Sequence, residues 1–248
     1  MKIQMHLAAQ YLAVAGICFV DKKPDDSHTN MGFNSNTNCL ESRILSPKGD
    51  QLLLSYQNFS LIWKSENGTS TFMLDGKSHK EALKWLEDIA EKALNKKYEY
   101  SIHYDIPYEI VDDFSFEITS KASLEALIRL RTLTQSSLEK VIESHGLEAE
   151  IRVWPHHFDT GIYTALPGTS ISIGLGLAIP DTVCEDYYLY ASGYNSDGQI
   201  DASNFEKLTK GYWGATGFKG AVLPATEIEE SDGLKFFNQT IERFKHYK

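Results

Sequence analysis

Two short segments of this chain concentrate the side chains that carry chemistry. The first is Pro24-Asp25-Asp26-Ser27-His28-Thr29-Asn30, a proline followed by an unbroken run of hydrogen-bonding side chains. The second is Trp154-Pro155-His156-His157-Phe158-Asp159-Thr160-Gly161, which brings two imidazoles and a carboxylate close together in sequence. An imidazole beside a carboxylate suits two tasks. It can hold a divalent metal, with the carboxylate as ligand or orienter, or it can act as a general base with its orienting partner. In the first segment His28 and Asp25 or Asp26 are the donors for a ligand or metal, and Ser27 and Asn30 add hydrogen bonds. A Ser27–His28 nucleophile pair is disfavoured, because neighbouring side chains in an extended segment point to opposite sides. Asx-type turns and helix-end caps explain the same residues without any ligand.

Pro155 cannot donate to a strand ladder, so the next strand is expected to start near His156. Alternation then puts His156, Phe158 and Thr160 on one face and His157, Asp159 and Gly161 on the other, with His157 and Asp159 about 6.5–7 Å apart at Cα. The metal set this suggests is His28, His157 and Asp159, completed by His156 or Asp26. Two imidazoles and a carboxylate suit a divalent metal such as zinc with one position left for water. A polar cluster that fixes the strand corner accounts for the second segment equally well. On that account His156, on the Phe158 face, is a satisfied core histidine unless a bulge re-aims it. A third candidate surface lies in the strand expected over 170–177. Ile171, Ile173, Leu175 and Leu177 share one face, while Ser172, Gly174 and Gly176 leave the other nearly bare. A backbone, an aromatic ring or a ligand can then come close to Gly174 and Gly176.

The elements that must position these groups follow from periodicity. Leu7, Tyr11, Val14 and Cys18 recur at helical spacing with Gln10 on the other side, which predicts an amphipathic first helix. The segment superficially resembles a signal peptide, but His6 and Gln10 interrupt its apolar run and Ile17 stands before Cys18 where a lipobox needs a small residue. The polar segment 21–34 is expected to be a loop. Alternation at Leu52, Leu54, Tyr56 and again at Phe59, Leu61, Trp63, with a turn at Glu66-Asn67-Gly68, predicts an antiparallel meander. Ser78-His79-Lys80-Glu81 is a capping box opening a helix. Residues 98–118 read as an extended connector, and a longer helix is expected over 123–145, stopped by Gly146. A second meander follows over 151–154, 158–165, 170–177 and 187–191. A short helix is expected after Ser203, and a last helix from about Asp232.

Strands joined by hairpins predict an α+β fold with two antiparallel meanders and about four packing helices, not a doubly wound parallel sheet. No Gly/Ser-rich or Pro-rich linker divides the chain, so 1–248 reads as a single compact unit. The repeated element order suggests pseudo-duplicated sub-halves, 1–118 and 119–248. In 248 residues, 24 Lys and Arg stand against 34 Asp and Glu, a formal net charge of -10. Such a surface repels phosphate backbones and anionic lipid, so neither nucleic acid nor a membrane surface is an expected partner; a small polar molecule is. The 3 cysteines, Cys18, Cys39 and Cys184, are too scattered for a disulfide framework, which points to free thiols and a cytoplasmic setting. No apolar run of about 20 residues predicts a transmembrane helix. Gly-x-Ser-x-Gly, Walker and His-Glu-x-x-His signatures are absent, and Gly174-Leu175-Gly176 lacks the third glycine and following helix of a dinucleotide fingerprint.

The motifs Asp25-Asp26-Ser27-His28-Thr29-Asn30 and Trp154-Pro155-His156-His157-Phe158-Asp159, with Ala9-Gln10, Gly76-Lys77-Ser78-His79 and Tyr188-Leu189-Tyr190, resemble a family of uncharacterised bacterial proteins with no known activity. The resemblance implies a bacterial, cytoplasmic protein and assigns no residue a role. Three functions therefore stand on the residues: a metal-dependent, hydrolase-like enzyme using His28, His157 and Asp159; a non-catalytic module binding a small polar ligand; and a structural or interaction protein whose polar motifs only join the two halves. The two polar motifs are expected to meet, with His28 within about 10 Å of His157 or Asp159, the reach of two side chains and a metal or water.

Overall fold

A computed structural model describes residues 1–108, 110–214, 217–226 and 228–247. Among the described residues the chain forms four helices and two antiparallel sheets of five and seven strands, an α+β architecture as the hairpin spacing predicts. It resolves into two compact units. The first is Met1–Ile128 with Val153–Phe158, and the second is Arg129–Arg152 with Asp159–Lys248.

In the first unit, helix α1 (Lys2–Phe19) is buried on every side from Met5 to Gly16. This corrects the amphipathic reading, since Gln10 and His6 do not face water and are fully covered. A helix apolar almost all round belongs inside a core. One side lies against the sheet formed by β1 (Gly32–Asn34), β2 (Cys39–Glu41), β3 (Gln51–Ser55), β4 (Ser60–Ser65) and β5 (Gly68–Met73), paired in chain order. Leu52 pairs with Trp63 and Leu54 with Leu61, all four buried. Another side of α1 is covered by an irregular strap, described over 98–108 and 110–119, which runs antiparallel to the helix. The Tyr98 hydroxyl donates to the Tyr11 carbonyl, the Glu99 backbone meets Cys18, the Tyr104 hydroxyl donates to Gln10, and the Met1 amino group donates to Thr119. Helix α2 (His79–Leu94) opens with the expected capping box of Ser78 and Glu81 and buries Ala82, Leu86 and Ala90. Strands β1 and β2 were not legible as alternation. Each is three residues long, and polar Asn34 and Glu41 are joined across them by a hydrogen bond.

Helix α3 (Lys121–His145) carries the chain into the second unit. That unit contains β7 (Thr160–Ala165), β8 (Ser172–Ala178), β9 (Tyr188–Asn195), β10 (Gly198–Gln199), β11 (Tyr212–Trp213), β12 (Ala221–Pro224) and α4 (Glu230–Lys245), while β6 (Arg152–Val153) straddles the division. The sheet order is β11-β12-β9-β8-β7-β6, with β10 beside β9. Its core joins Ile162, Ile173, Leu175, Leu177 and Leu189 of the sheet to Leu138 and Val141 of α3 and Phe237, Ile241 and Phe244 of α4. Gly193 is required there, because a Cβ would sit 2.5 Å from the Phe244 ring. The short helix expected after Ser203 does not form. The Asp201 carboxylate takes the Ser203 N–H, and the Phe205 N–H closes a turn on the Ala202 carbonyl. Among the described residues no helix is long and apolar enough to cross a membrane.

Burial of Leu7 in α1 gives a direct check on this arrangement. Leu7→Asp places an unpaired carboxylate in the core and is expected to cost on the order of 3 kcal/mol or more in urea denaturation. A loss under about 1 kcal/mol, the level of a surface substitution, would show the helix is not packed as described.

Candidate functional site

The site is built outward from one carbonyl. The buried Pro155 oxygen accepts from His6 Nε2 at 2.8 Å and from Gln10 Nε2 at 2.9 Å. A carbonyl only accepts, so the His6 proton sits on Nε2. The Gln10 amide is used on both ends, its nitrogen donating also to the His6 carbonyl at 3.1 Å and its oxygen accepting from the Tyr104 hydroxyl at 2.8 Å. The turn that follows closes when the Phe158 N–H donates to the Trp154 carbonyl at 2.7 Å. Phe158 itself is fully buried with φ 60°, a left-handed conformation rare for an aromatic residue, and its ring stacks on His6 at 4.9 Å between centroids.

This turn overturns the expected strand geometry. Strand β7 begins at Thr160, not near His156, and residues 155–157 are a turn. The period-two argument that set His157 and Asp159 side by side therefore does not apply, because left-handed Phe158 stands between them. Asp159 falls in the second unit, where its Oδ2 accepts from the Tyr190 hydroxyl at 2.8 Å. His156 and His157 stay in the first unit.

The first motif reaches them from the other side of the sequence. Its backbone rests on α1 at Gly16, where a Cβ would meet the His28 carbonyl oxygen at 2.3 Å. Successive turns follow, with Asp26 N–H on Lys23, Thr29 N–H on Asp26 and Asn30 N–H on Ser27, and Asp26 takes the left-handed φ of 54°. Ser27 N–H bonds Asp25, so part of the motif is turn-making as the structural reading held. Immediately after it, Met31 and Val153 exchange both backbone hydrogen bonds, at 3.0 and 2.8 Å. The two polar motifs, distant in sequence, are thereby anchored to each other.

Asp26 is their meeting point. Its carboxylate lies 3.2 Å from His103 Nε2, on the strap, and its charge also acts on His28, Tyr104 and His156. His103 and Tyr104 rings are 5.3 Å apart, Tyr104 and His156 are 6.0 Å apart, and His156 and His157 are 4.2 Å apart between centroids. Burial holds His28 below the ordinary histidine value, with Asp26 opposing and His103 and Lys22 adding to the depression. His28 Nδ1 accepts the Lys23 N–H, which fixes its lone pair there. Burial likewise holds His156 down, helped by His157 and opposed by Asp26. His28 is covered, His156 half-buried, and His103 and His157 exposed, so solvent reaches the cluster from one side.

Among the described residues no three His, Cys, Asp or Glu side chains are placed to hold one metal ion. The bare face of β8 is occupied by the chain itself. Gly174 lies under Ser192 with the Tyr163 and Tyr194 rings beside it, and at Gly176 a Cβ would meet the Thr160 carbonyl and the Tyr190 hydroxyl. Sequence reasoning missed four contributors: His6, Gln10, Gly16 and His103. Only the polar interruptions of α1 signalled the first two. A further buried histidine, His79, has its Nδ1 2.7 Å from the Tyr11 hydroxyl, and burial lowers its pKa with Asp112 opposing. Open clefts of about 340 Å³ beside Trp63 and about 530 Å³ beside Tyr212 include none of the cluster residues. No family model, curated protein or solved structure matches the chain.

Two outcomes follow from this geometry. Gly16→Ala forces a methyl group against backbone that cannot swing aside, and is expected to lower stability by about 1–3 kcal/mol and to shift the amide signals of 24–30. Unchanged stability and spectra would mean the loop does not rest on α1. The lowered values of His28, His79 and His156 mean that the unfolded chain binds protons more readily than the native one. Their contribution is complete above the unfolded value of about 6.5 and is lost as pH falls below it. Denaturation midpoints should therefore drop between about pH 7.5 and 5.5, and His79→Gln should flatten the drop. Stability that rises over this range would contradict the assignment.

Proposed function

We propose that the protein binds a small polar ligand at the histidine cluster of its first unit, with His156 and His157 as the contacting groups. The Asp26–His103 pair is the neighbouring proton-handling element. The observation that supports this reading is convergence on Asp26 of three separate segments: the loop after α1, the strap, and the turn after Pro155. Chain ordering opposes fixing polar loops in this way, and left-handed Asp26 and Phe158 add backbone strain of about 1–3 kcal/mol each. Strain of this kind gathers at ligand sites because a rigid surround can hold it there. His103 and His157 face solvent, where a small molecule can reach them.

The binding reading is preferred to the metal-dependent hydrolase on donor geometry. Asp159, the expected carboxylate partner of His157, is engaged by Tyr190, and the carboxylate acting on His156 is Asp26. An imidazole next to a carboxylate can still move a proton on a bound molecule, so acid–base chemistry at Asp26–His103 belongs to the same reading.

The test is a titration followed through the histidine ring signals by NMR, with sulfate, glycerol, methylammonium and zinc as chemically distinct probes. At least one non-metal probe is expected to shift His156 and His157 saturably while leaving His246 unmoved. Asp26→Asn should weaken that binding by about fivefold, a loss of roughly 1 kcal/mol. Saturable response to zinc alone would favour the metal reading, and response to no probe would leave a structural cluster.

A further inference from the structure

We infer that β5 (Gly68–Met73) is a self-pairing edge, to which a second copy of the chain adds its own β5 antiparallel about a two-fold axis at Thr71. The edge is separate from the histidine cluster. Strand β5 is the outer strand of the five-stranded sheet and, among the described residues, pairs with β4 alone. Their register runs unbroken from Ser60–Met73 to Ser65–Gly68, so no bulge twists the edge away.

The phase of the ladder decides which backbone groups face outward. The two-residue turn Glu66-Asn67 makes Ser65 and Gly68 a hydrogen-bonded pair. At the far end the Leu74 N–H donates to the Phe59 carbonyl at 3.0 Å, which keeps the same phase. Gly68, Ser70 and Phe72 therefore turn their N–H and C=O groups toward β4, and Thr69, Thr71 and Met73 turn theirs outward. All three are exposed, and among the described residues no other hydrogen bond engages them.

An open edge is ordinarily blunted by shortness, a bulge, proline, charge or a covering segment. The outer strands β1, β6 and β11 have three, two and two residues. Strand β5 has six, and Gly68-Thr69-Ser70-Thr71-Phe72-Met73 contains neither proline nor charge. Its row of outward donors and acceptors fits an extended strand. A second β5 is such a strand, and its neutrality removes local repulsion between identical copies. With Thr71 opposite the partner's Thr71, Thr69 lies opposite the partner's Met73 and every outward group is used; a shift by two residues would leave some unpaired. Exposed Met73 then covers the methyl group of the partner's Thr69. On the other face half-buried Phe72, stacked on Trp85 at 5.5 Å between centroids, gains cover beside the partner's Ser70. The two-fold consumes both edges, so assembly stops at the dimer.

One added strand pair lies at the low end of interface sizes, below about 1,200 Å², and a formal net charge of -10 on each copy opposes it. The dimer is therefore weak, and salt strengthens it by screening that repulsion.

Sedimentation equilibrium of the full chain from about 10 μM to 1 mM is the test. A monomer–dimer equilibrium is expected within that range, tightening as salt is raised, with concentration-dependent amide shifts at Thr69, Thr71 and Met73. Thr71→Pro removes an outward N–H, leaves the β4 ladder intact, and should weaken dimerisation at least about tenfold. Thr71→Lys keeps the backbone and sets like charges opposite each other, and should weaken it comparably. Unchanged amide signals from α1 report that each variant is folded. Monomeric behaviour up to 1 mM would overturn the second copy as occupant, and saturable shifts at 69–73 with a neutral threonine–valine peptide would then give the edge to a foreign strand. A dimer equally tight in both variants would place the interface elsewhere, and growth beyond the dimer would overturn the two-fold pairing.

Discussion

A helix that is buried on every side cannot carry polar side chains unless each finds a partner inside the protein. In α1 that condition is met by one carbonyl. His6 and Gln10, one turn apart, both donate to the Pro155 oxygen, and Gln10 is completed by Tyr104. Leaving either side chain unsatisfied in the core would cost about 1–3 kcal/mol. The dependence runs both ways. The turn after Pro155 owes its orientation to α1, and α1 tolerates its polar residues because that turn is present. Helix, strap and turn are therefore expected to order together, and the histidines at the end of the turn inherit the rigidity of the core. A site held in this manner is preorganised without any secondary structure of its own.

The same constraint explains the strap. Residues 98–119 have no regular periodicity, yet their tyrosines meet α1 at intervals: Tyr98 near Tyr11 and Phe19, Tyr100 near Tyr11, Tyr104 at Gln10, and Tyr108 against His6. Tyrosine suits the position, since its ring covers apolar surface and its hydroxyl can answer a buried polar group. The strap carries His103 to Asp26 as a consequence of covering the helix. Core packing and site assembly are thus one event here.

Elements whose stabilisation is local were legible in the sequence. The Ser78–Glu81 capping box and the alternation of β3 and β4 depend on near neighbours and appear where the sequence pattern puts them. What failed was reading polarity as exposure. Gln10 was assigned to solvent because polar residues usually face it, and only the tertiary partner Pro155 shows otherwise. Period-two reasoning failed at Phe158, where a left-handed aromatic residue interrupts the alternation on which it depends. The capping-box pattern at Ser203 opens no helix: the Ser203 N–H bonds the Asp201 carboxylate and the Phe205 N–H closes a turn on the Ala202 carbonyl. His103 carried no local signal, since an isolated histidine in an aperiodic strap resembles any surface residue.

The second motif shows why contiguity in sequence is a poor guide to partnership. Trp154 to Asp159 reads as one constellation, with a carboxylate two places after an imidazole. The division between the units falls inside it. Phe158, buried on His6, turns the chain, so that the imidazoles remain with α1 while Asp159 enters the second unit and meets Tyr190. The carboxylate that acts on His156 comes instead from the loop after α1, brought there by the exchange of hydrogen bonds between Met31 and Val153. Local spacing could only offer Asp159 as partner, because the interactions that decide the matter are long-range. The chemistry of the cluster follows from that substitution of Asp26 for Asp159. Its carboxylate faces His103, and among the described residues no internal hydrogen bond engages either of the adjacent imidazoles.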